Sequence, residues 1–148
     1  MSSDLIIDVT PSEIVIALQE NKKLVELSRE RSGAKFAVGD IYLGKVKKIM
    51  PSLNASFIDV GYEKDAFLHY LDMGPQFATL NKFLRVASSR KSKVSSLARF
   101  QSEPDIDKEG KVTDLLNVGQ KILGQVAKEP SSTKGPRLTS EISIAGRY

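Results

Sequence analysis

Short apolar runs, each closed by turn-forming residues, dominate the sequence and limit what the chain can fold into. Residues 5–9 run into Pro11, and residues 55–60 end at Gly61. Several runs are rich in valine and isoleucine, whose branched β-carbons favour extended backbone. None of the runs is long enough to span a bilayer as a helix. The pattern therefore predicts a mainly β protein.

Residues 4–31 have the pattern of a three-stranded antiparallel meander. Glu20 and Asn21 suit the turn between the second and third strands. A single amphipathic helix over residues 13–27 is the alternative, because apolar residues there also recur at helical spacing. The cluster of β-branched residues around Val15 favours the strands.

A polar segment at residues 31–35 is the best internal boundary, so we expect a first domain at residues 1–35. A second domain is expected at 36–140, interrupted by an insertion at about 72–116. Residues 141–148 then begin a further segment. That segment stops without a cap or a polar tail, and we expect the natural chain to continue.

The second domain has five strand-like runs and one helical pattern. The runs are at residues 41–49, 55–60, 65–69, 121–127 and 137–139. Within the insertion, Phe77, Leu80, Phe83 and Leu84 have helical spacing and predict a helix over 76–86. Residues 88–110 are poor in apolar side chains, so we expect them to be mobile.

Composition excludes several classes of site. The chain has 148 residues, no cysteine and one histidine, His69. Disulfides, thiolate zinc sites and cysteine nucleophiles are therefore excluded, and histidine-based catalysis is disfavoured. We expect no metal ligand set and no catalytic residue in this chain. No secretory signal pattern is present, so a cytoplasmic location is the expectation.

Two phenylalanines occupy unusual strand positions. Side chains alternate between the faces of a strand, so Phe57 shares a face with Asp59, and Phe67 shares one with His69. If the two strands form a hairpin, both rings lie together on the solvated side. Exposed rings of this kind can stack with unpaired nucleobases. The alternative, in which both rings belong to the core, remains open because phenylalanine is usually buried.

Basic residues near these strands could hold a phosphate backbone. The net charge is only +4, from 22 basic and 18 acidic residues, so the distribution of charge matters more than its total. The candidates on the strand before Phe57 are Lys45, Lys47 and Lys48. Those beyond the insertion are Lys128, Lys134 and Arg137. His69 is a further candidate contact, or a simple surface histidine.

Six basic residues between Lys82 and Arg99 have no acidic residue among them. Charged runs of this kind usually form a solvated loop. An accessory RNA clamp is the functional alternative.

The order of the motifs resembles a known family. Residues 38–46, 51–61 and 65–69 are similar to the first three strands of S1-type RNA-binding domains, which are five-stranded OB barrels. The segment Ile41-Tyr42-Leu43-Gly44-Lys45 and the ending at 138–148 are similar to ribonucleases of the E/G family. Ala66 stands where that pattern has glycine.

The resemblance implies roles for particular residues. Phe57 and Phe67 match RNA-stacking aromatics of the family, and Lys134 matches a basic RNA contact. Residues 1–31 match the first strands of a ribonuclease-H-like subdomain, which resumes near Ile142. Members of the family hydrolyse single-stranded RNA with two metal-bound aspartates in a later domain. The resemblance thus implies a Mg²⁺-dependent endoribonuclease whose chemistry lies outside this chain.

We therefore expect a single-stranded RNA-binding region of an endoribonuclease that acts in RNA processing and decay. A stand-alone RNA-binding OB protein, such as a translation or RNA-chaperone factor, is the second hypothesis. A barrel that binds a peptide through Phe57 and Phe67 is the third. An apolar face on the meander at 4–31 makes a homo-oligomer possible.

Overall fold

The computed structural model describes residues 2–31, 35–89 and 100–144. They form two compact units, one ending at Lys35 and the other beginning at Phe36. The first unit is a small sheet, and the second contains a closed barrel. Among the described residues, no helix is long and apolar enough to cross a membrane.

The first unit is the predicted three-stranded antiparallel meander, in the order β1-β2-β3. Its strands are β1 (Ser3–Val9), β2 (Glu13–Glu20) and β3 (Lys23–Arg31). The turn between β2 and β3 uses Asn21 and Lys22, whose φ angles are 49° and 65°. Two positive φ angles in a two-residue loop match the twist of the flanking strands. The alternative of one helix over 13–27 is therefore wrong.

One face of the β1–β2 pair is aliphatic. Directly opposed residues of β1 and β2 share a face, and three such pairs are Leu5–Leu18, Ile7–Ile16 and Val9–Ile14. Leu5 is 63% exposed, Ile7 56% and Val9 67%. Within the unit itself, this face therefore has no covering layer.

The second unit is a closed barrel with the strand order β4-β5-β6-β8-β7. Its strands are β4 (Ile41–Met50), β5 (Ala55–Asp59), β6 (Ala66–His69), β7 (Lys121–Lys128) and β8 (Arg137–Thr139). β6 and β8 are parallel, and the other neighbouring strands are antiparallel. The five-stranded OB-type barrel is thus confirmed.

Aliphatic side chains fill the barrel. Ile58, Ala66 and Leu68 are fully buried. The complete absence of exposure at Ala66 shows that its methyl group is accommodated in the core, although the related pattern has glycine there. Val46, Ile122, Val126 and Leu138 complete the inner surface of the wall. Burial of these groups provides the main stabilisation of the barrel.

The chain between β6 and β7 is partly helical, as predicted. Helix α1 spans Phe77–Ser88, and the short helix α2 spans Val112–Leu115. The amide of Asn54 donates to the Gly110 carbonyl over 3.0 Å and its oxygen accepts from the Val112 N–H over 2.7 Å. Asn54 therefore ties the returning segment to the barrel.

The expectation that residues 88–110 are mobile is wrong for residues 100–110. The Tyr70 hydroxyl donates to the Asp107 carbonyl, and the Ile106 N–H donates to the Pro75 carbonyl over 2.9 Å. The Thr79 hydroxyl and the backbone of Glu103 bond reciprocally. Burial raises the pKa of Tyr70, and nearby carboxylates act in the same direction. Residues 90–99 lie outside the described part of the chain.

Candidate nucleic-acid interface

Phe57 and Phe67 are direct cross-strand partners on β5 and β6. Their ring centroids are 5.7 Å apart, with the ring planes at 65°. Both side chains are partly exposed, whereas Ile58 and Leu68, the residues that follow them, are fully buried. The rings therefore lie on the outer face of the barrel wall, and the strand phase is the one predicted from alternation. The alternative that places both rings in the core is wrong.

The ring pair lies in an open cleft of about 830 Å³. Six further predicted contact residues line this cleft together with Phe57, and they are Phe67, Lys47, Lys48, Lys128, Lys134 and Arg137. Sequence reasoning had not assigned a site role to the other lining residues. These are Glu63, Lys64, Asp65, Glu129, Thr133 and Gly135.

Lys45 and His69 do not line the cleft. Lys45 lies opposite Lys121 on β7, and its side chain approaches Gly119. The His69 ring lies 6.5 Å from the Phe67 ring, centroid to centroid. Its Nδ1 accepts a hydrogen bond of 3.1 Å from the Leu71 N–H, so one ring nitrogen is already engaged.

A bulge in β4 changes which lysines face the cleft. The register with β5 shifts between Val46, which faces Ile58, and Lys48, which faces Phe57. Strict alternation from buried Val46 would point Lys48 into the core. The extra residue, Lys47, instead lets both lysines face outward. Bulges carry little compositional signal, so the sequence left the orientation of Lys48 undetermined.

The basic residues of the cleft fall into two groups. In the first group the charge is already engaged. Lys47 pairs with Asp65 at 3.0 Å, and Arg137 pairs with Asp72 at 2.8 Å. Lys64 donates to the carbonyl of Ser132.

The second group consists of Lys48, Lys128 and Lys134. Within the described residues these exposed side chains form no ion pair. Their ammonium groups are therefore available to an anion without first breaking an internal contact.

Gly135 holds the loop between β7 and β8 against the β5–β6 turn. A Cβ atom at this position would lie 2.1 Å from the carbonyl oxygen of Asp65. Such a distance is far below van der Waals contact, so only glycine permits this approach. The close packing places the neighbouring Lys134 at the rim of the cleft. The sequence Thr133-Lys134-Gly135 alone does not indicate that position 135 requires glycine.

The basic stretch at 82–99 is only partly described. Lys82 forms an ion pair with Glu103 at 2.5 Å and lies 5.7 Å from the centroid of the Phe100 ring. Its charge is thus used within the insertion. Arg90, Lys91, Lys93 and Arg99 lie outside the described residues, so the accessory clamp stays a hypothesis.

The similarity of the chain to characterised proteins is specific. It is 32% identical to ribonuclease G of Escherichia coli K12 over 148 residues, which is all of this chain. It is 34% identical to ribonuclease G of Haemophilus influenzae over 145 residues. It is 40% identical to ribonuclease E of Synechocystis over 112 residues, or 75% of this chain. No protein-family model matches.

The chain belongs to the ribonuclease E/G family. It spans 26% of the length of each ribonuclease G and 13% of the Synechocystis ribonuclease E. No group of three or more histidine, aspartate or glutamate side chains is placed to hold a metal ion in the described parts of the chain.

Proposed function

We propose that this chain is the single-stranded RNA-binding region of an E/G-type endoribonuclease. The observation that carries the proposal is the partly exposed pair Phe57–Phe67 inside a cleft lined by lysines. Every nucleobase has a π face, so stacking on such rings tolerates many sequences. Each stacked base contributes about 1–3 kcal/mol.

Charge in the cleft supports the same ligand. Six basic and three acidic side chains line it, so the local excess is positive although the whole chain is only slightly basic. Lysines attract phosphates by releasing condensed counterions from the nucleic acid. Aromatic rings for bases beside cations for phosphates are the combination that single-stranded nucleic acids require.

A duplex suits this cleft poorly. Bases in a double helix are stacked on each other and cannot lie on protein rings without unpairing. We therefore propose that the ligand is unpaired RNA, held close to a catalytic domain elsewhere in the full-length protein. In that division of labour this region raises the local concentration of substrate and fixes its register, and Mg²⁺ assists hydrolysis at the other site.

The test is the binding of a fluorescently labelled oligouridylate to the chain, measured by anisotropy at several salt concentrations. We expect the logarithm of the affinity to fall linearly with the logarithm of the salt concentration. A duplex of equal length should bind more weakly. A flat salt response, or equal binding of the duplex, would contradict the proposal and favour a peptide ligand for the same rings.

A second measurement tests the division of labour. The chain is incubated with labelled single-stranded RNA and Mg²⁺, and the products are resolved on a denaturing gel. We expect the RNA to remain intact, because the described residues contain no candidate metal centre. Cleavage by the purified chain, lost on addition of a chelator, would refute this part of the proposal.

A further inference from the structure

Direct cross-strand partners form one continuous row through the cleft. Lys48 on β4 faces Phe57 on β5, and Phe57 faces Phe67 on β6. Phe67 is in register with Arg137 on β8, which faces Lys128 on β7. Neighbouring strands are about 4.8 Å apart, so the row from Lys48 to Lys128 follows roughly 19 Å of the curved wall. A cation thus stands at each end of the aromatic pair.

The lysine at each end of this row faces outward because of a β-bulge in its strand. In β4 the register shifts between Val46 and Lys48, and in β7 it shifts between Val126 and Lys128. Val46 and Val126 are buried, each only 1% exposed. Simple alternation would therefore bury both lysines, but the bulges turn both outward. Two independent departures from regular pairing have the same result, which is an exposed lysine in the row of the rings.

The cations within reach of the rings are not equivalent. Arg137 also belongs to the row, but Asp72 accepts hydrogen bonds from both its Nε, at 3.1 Å, and its Nη2, at 2.8 Å. Lys47 is held by Asp65. Lys48 and Lys128 have no such carboxylate among the described residues. A phosphate can therefore approach these two lysines without displacing an acidic partner.

We infer that Lys48 and Lys128 are two phosphate contacts that bracket the bases on Phe57 and Phe67. This inference rests on the proposed function and adds to it the path of the ligand. The bound strand crosses the β-strands along the row, with one phosphate at Lys48, two bases on the rings and a later phosphate at Lys128. Arg137 and Lys47 contribute less to phosphate binding, because Asp72 and Asp65 already neutralise them.

The experiment compares salt dependence across matched variants. Affinity for oligouridylate is measured against salt concentration for Lys48→Ala, Lys128→Ala and the double variant. The control is Lys121→Ala, which removes one exposed lysine from β7 outside the cleft. Each phosphate contact to a single strand contributes about 0.7 to the logarithmic salt slope. We expect each single variant to lower the slope by about 0.7, the double variant by about 1.4, and the control not to change it.

Two results separate the inference from the proposed function. If Phe57→Ala weakens binding but Lys48→Ala and Lys128→Ala keep the original salt slope, the two proposed phosphate contacts are refuted. RNA binding on the rings is then still supported. If the unmodified chain does not bind oligouridylate, or Phe57→Ala leaves its affinity unchanged, the proposed function itself fails. Lys48→Arg serves as the rescue variant, because it keeps the charge and should restore the slope.

Discussion

Phe57 and Phe67 face each other across two antiparallel strands, with their ring centroids 5.7 Å apart and their planes at 65°. This edge-to-face arrangement is favourable for an aromatic pair and keeps both rings in a defined position before any ligand arrives. Preorganised rings lose little side-chain entropy on binding. The pair is therefore the centre of the proposed RNA surface.

Truncation of either ring should separate binding from stability. We expect Phe57→Ala or Phe67→Ala to lower RNA affinity by about 1–3 kcal/mol, since each loses one stacked base. Thermal unfolding should change little, because both rings lie on the outer face of the wall. The matched control is Ile58→Ala, on the same strand but fully buried, which should lower the free energy of unfolding by about 2–5 kcal/mol. Equal destabilisation by the Phe57 and Ile58 variants would place Phe57 in the core.

Lys134 and Arg137 should differ although both line the cleft. Lys134 has no ion pair among the described residues, so Lys134→Ala should lower the salt slope of RNA binding by about 0.7. Arg137 is bound to Asp72 at 2.8 Å, so Arg137→Ala should change the slope less. The measurement is fluorescence anisotropy over a series of salt concentrations, which gives the slope directly. A larger effect at Arg137 would contradict this assignment.

Gly135 should tolerate no side chain. The methyl group of Gly135→Ala would collide with backbone atoms of Asp65 and Lys64, so the loop has to move away from the β5–β6 turn. We expect a loss of about 1–3 kcal/mol in the free energy of unfolding and weaker RNA binding. Urea unfolding monitored by circular dichroism measures the first, and anisotropy the second. Unchanged values of both would show that the loop is not held by this contact.

The aliphatic face of the β1–β2 pair should drive self-association of the chain. Leu5, Ile7 and Val9 are each more than half exposed, and apolar patches of this kind favour contact between copies. We expect the weight-average mass from light scattering to rise with concentration. Ile7→Lys should reduce this rise, whereas Gln19→Lys, on the other face of the sheet, should have less effect. A strictly monomeric chain at high concentration would contradict the prediction.

Much of the fold could be predicted because its signals are local. Alternation in β5 and β6 fixes the outward direction of Phe57 and Phe67, since a one-residue slip would expose Ile58 and Leu68 instead. The meander was predictable for a similar reason, as β-branched residues in succession disfavour a helix. Strand boundaries differ from expectation by only a few residues, with β6 beginning at Ala66 rather than Asp65.

The parts of the site that could not be predicted depend on non-local geometry. The bulges that expose Lys48 and Lys128 leave no distinct pattern of residue types. Arg137 lies beside Phe67 only because β6 and β8 pair in parallel at closure of the barrel. The packing of residues 100–110 was missed because it uses few apolar side chains and several bonds to backbone carbonyls, such as that of Tyr70.

Nuclear magnetic resonance of the phenylalanine rings tests the central claim most directly. The chain is labelled at phenylalanine and titrated with oligouridylate, with Phe57→Ala and Phe67→Ala used to assign the ring signals. Stacking on nucleobases predicts large shifts in the Phe57 and Phe67 ring protons, and little change for Phe36 and Phe77, which are buried in the core. Saturable RNA binding without movement of the Phe57 and Phe67 signals would contradict the account.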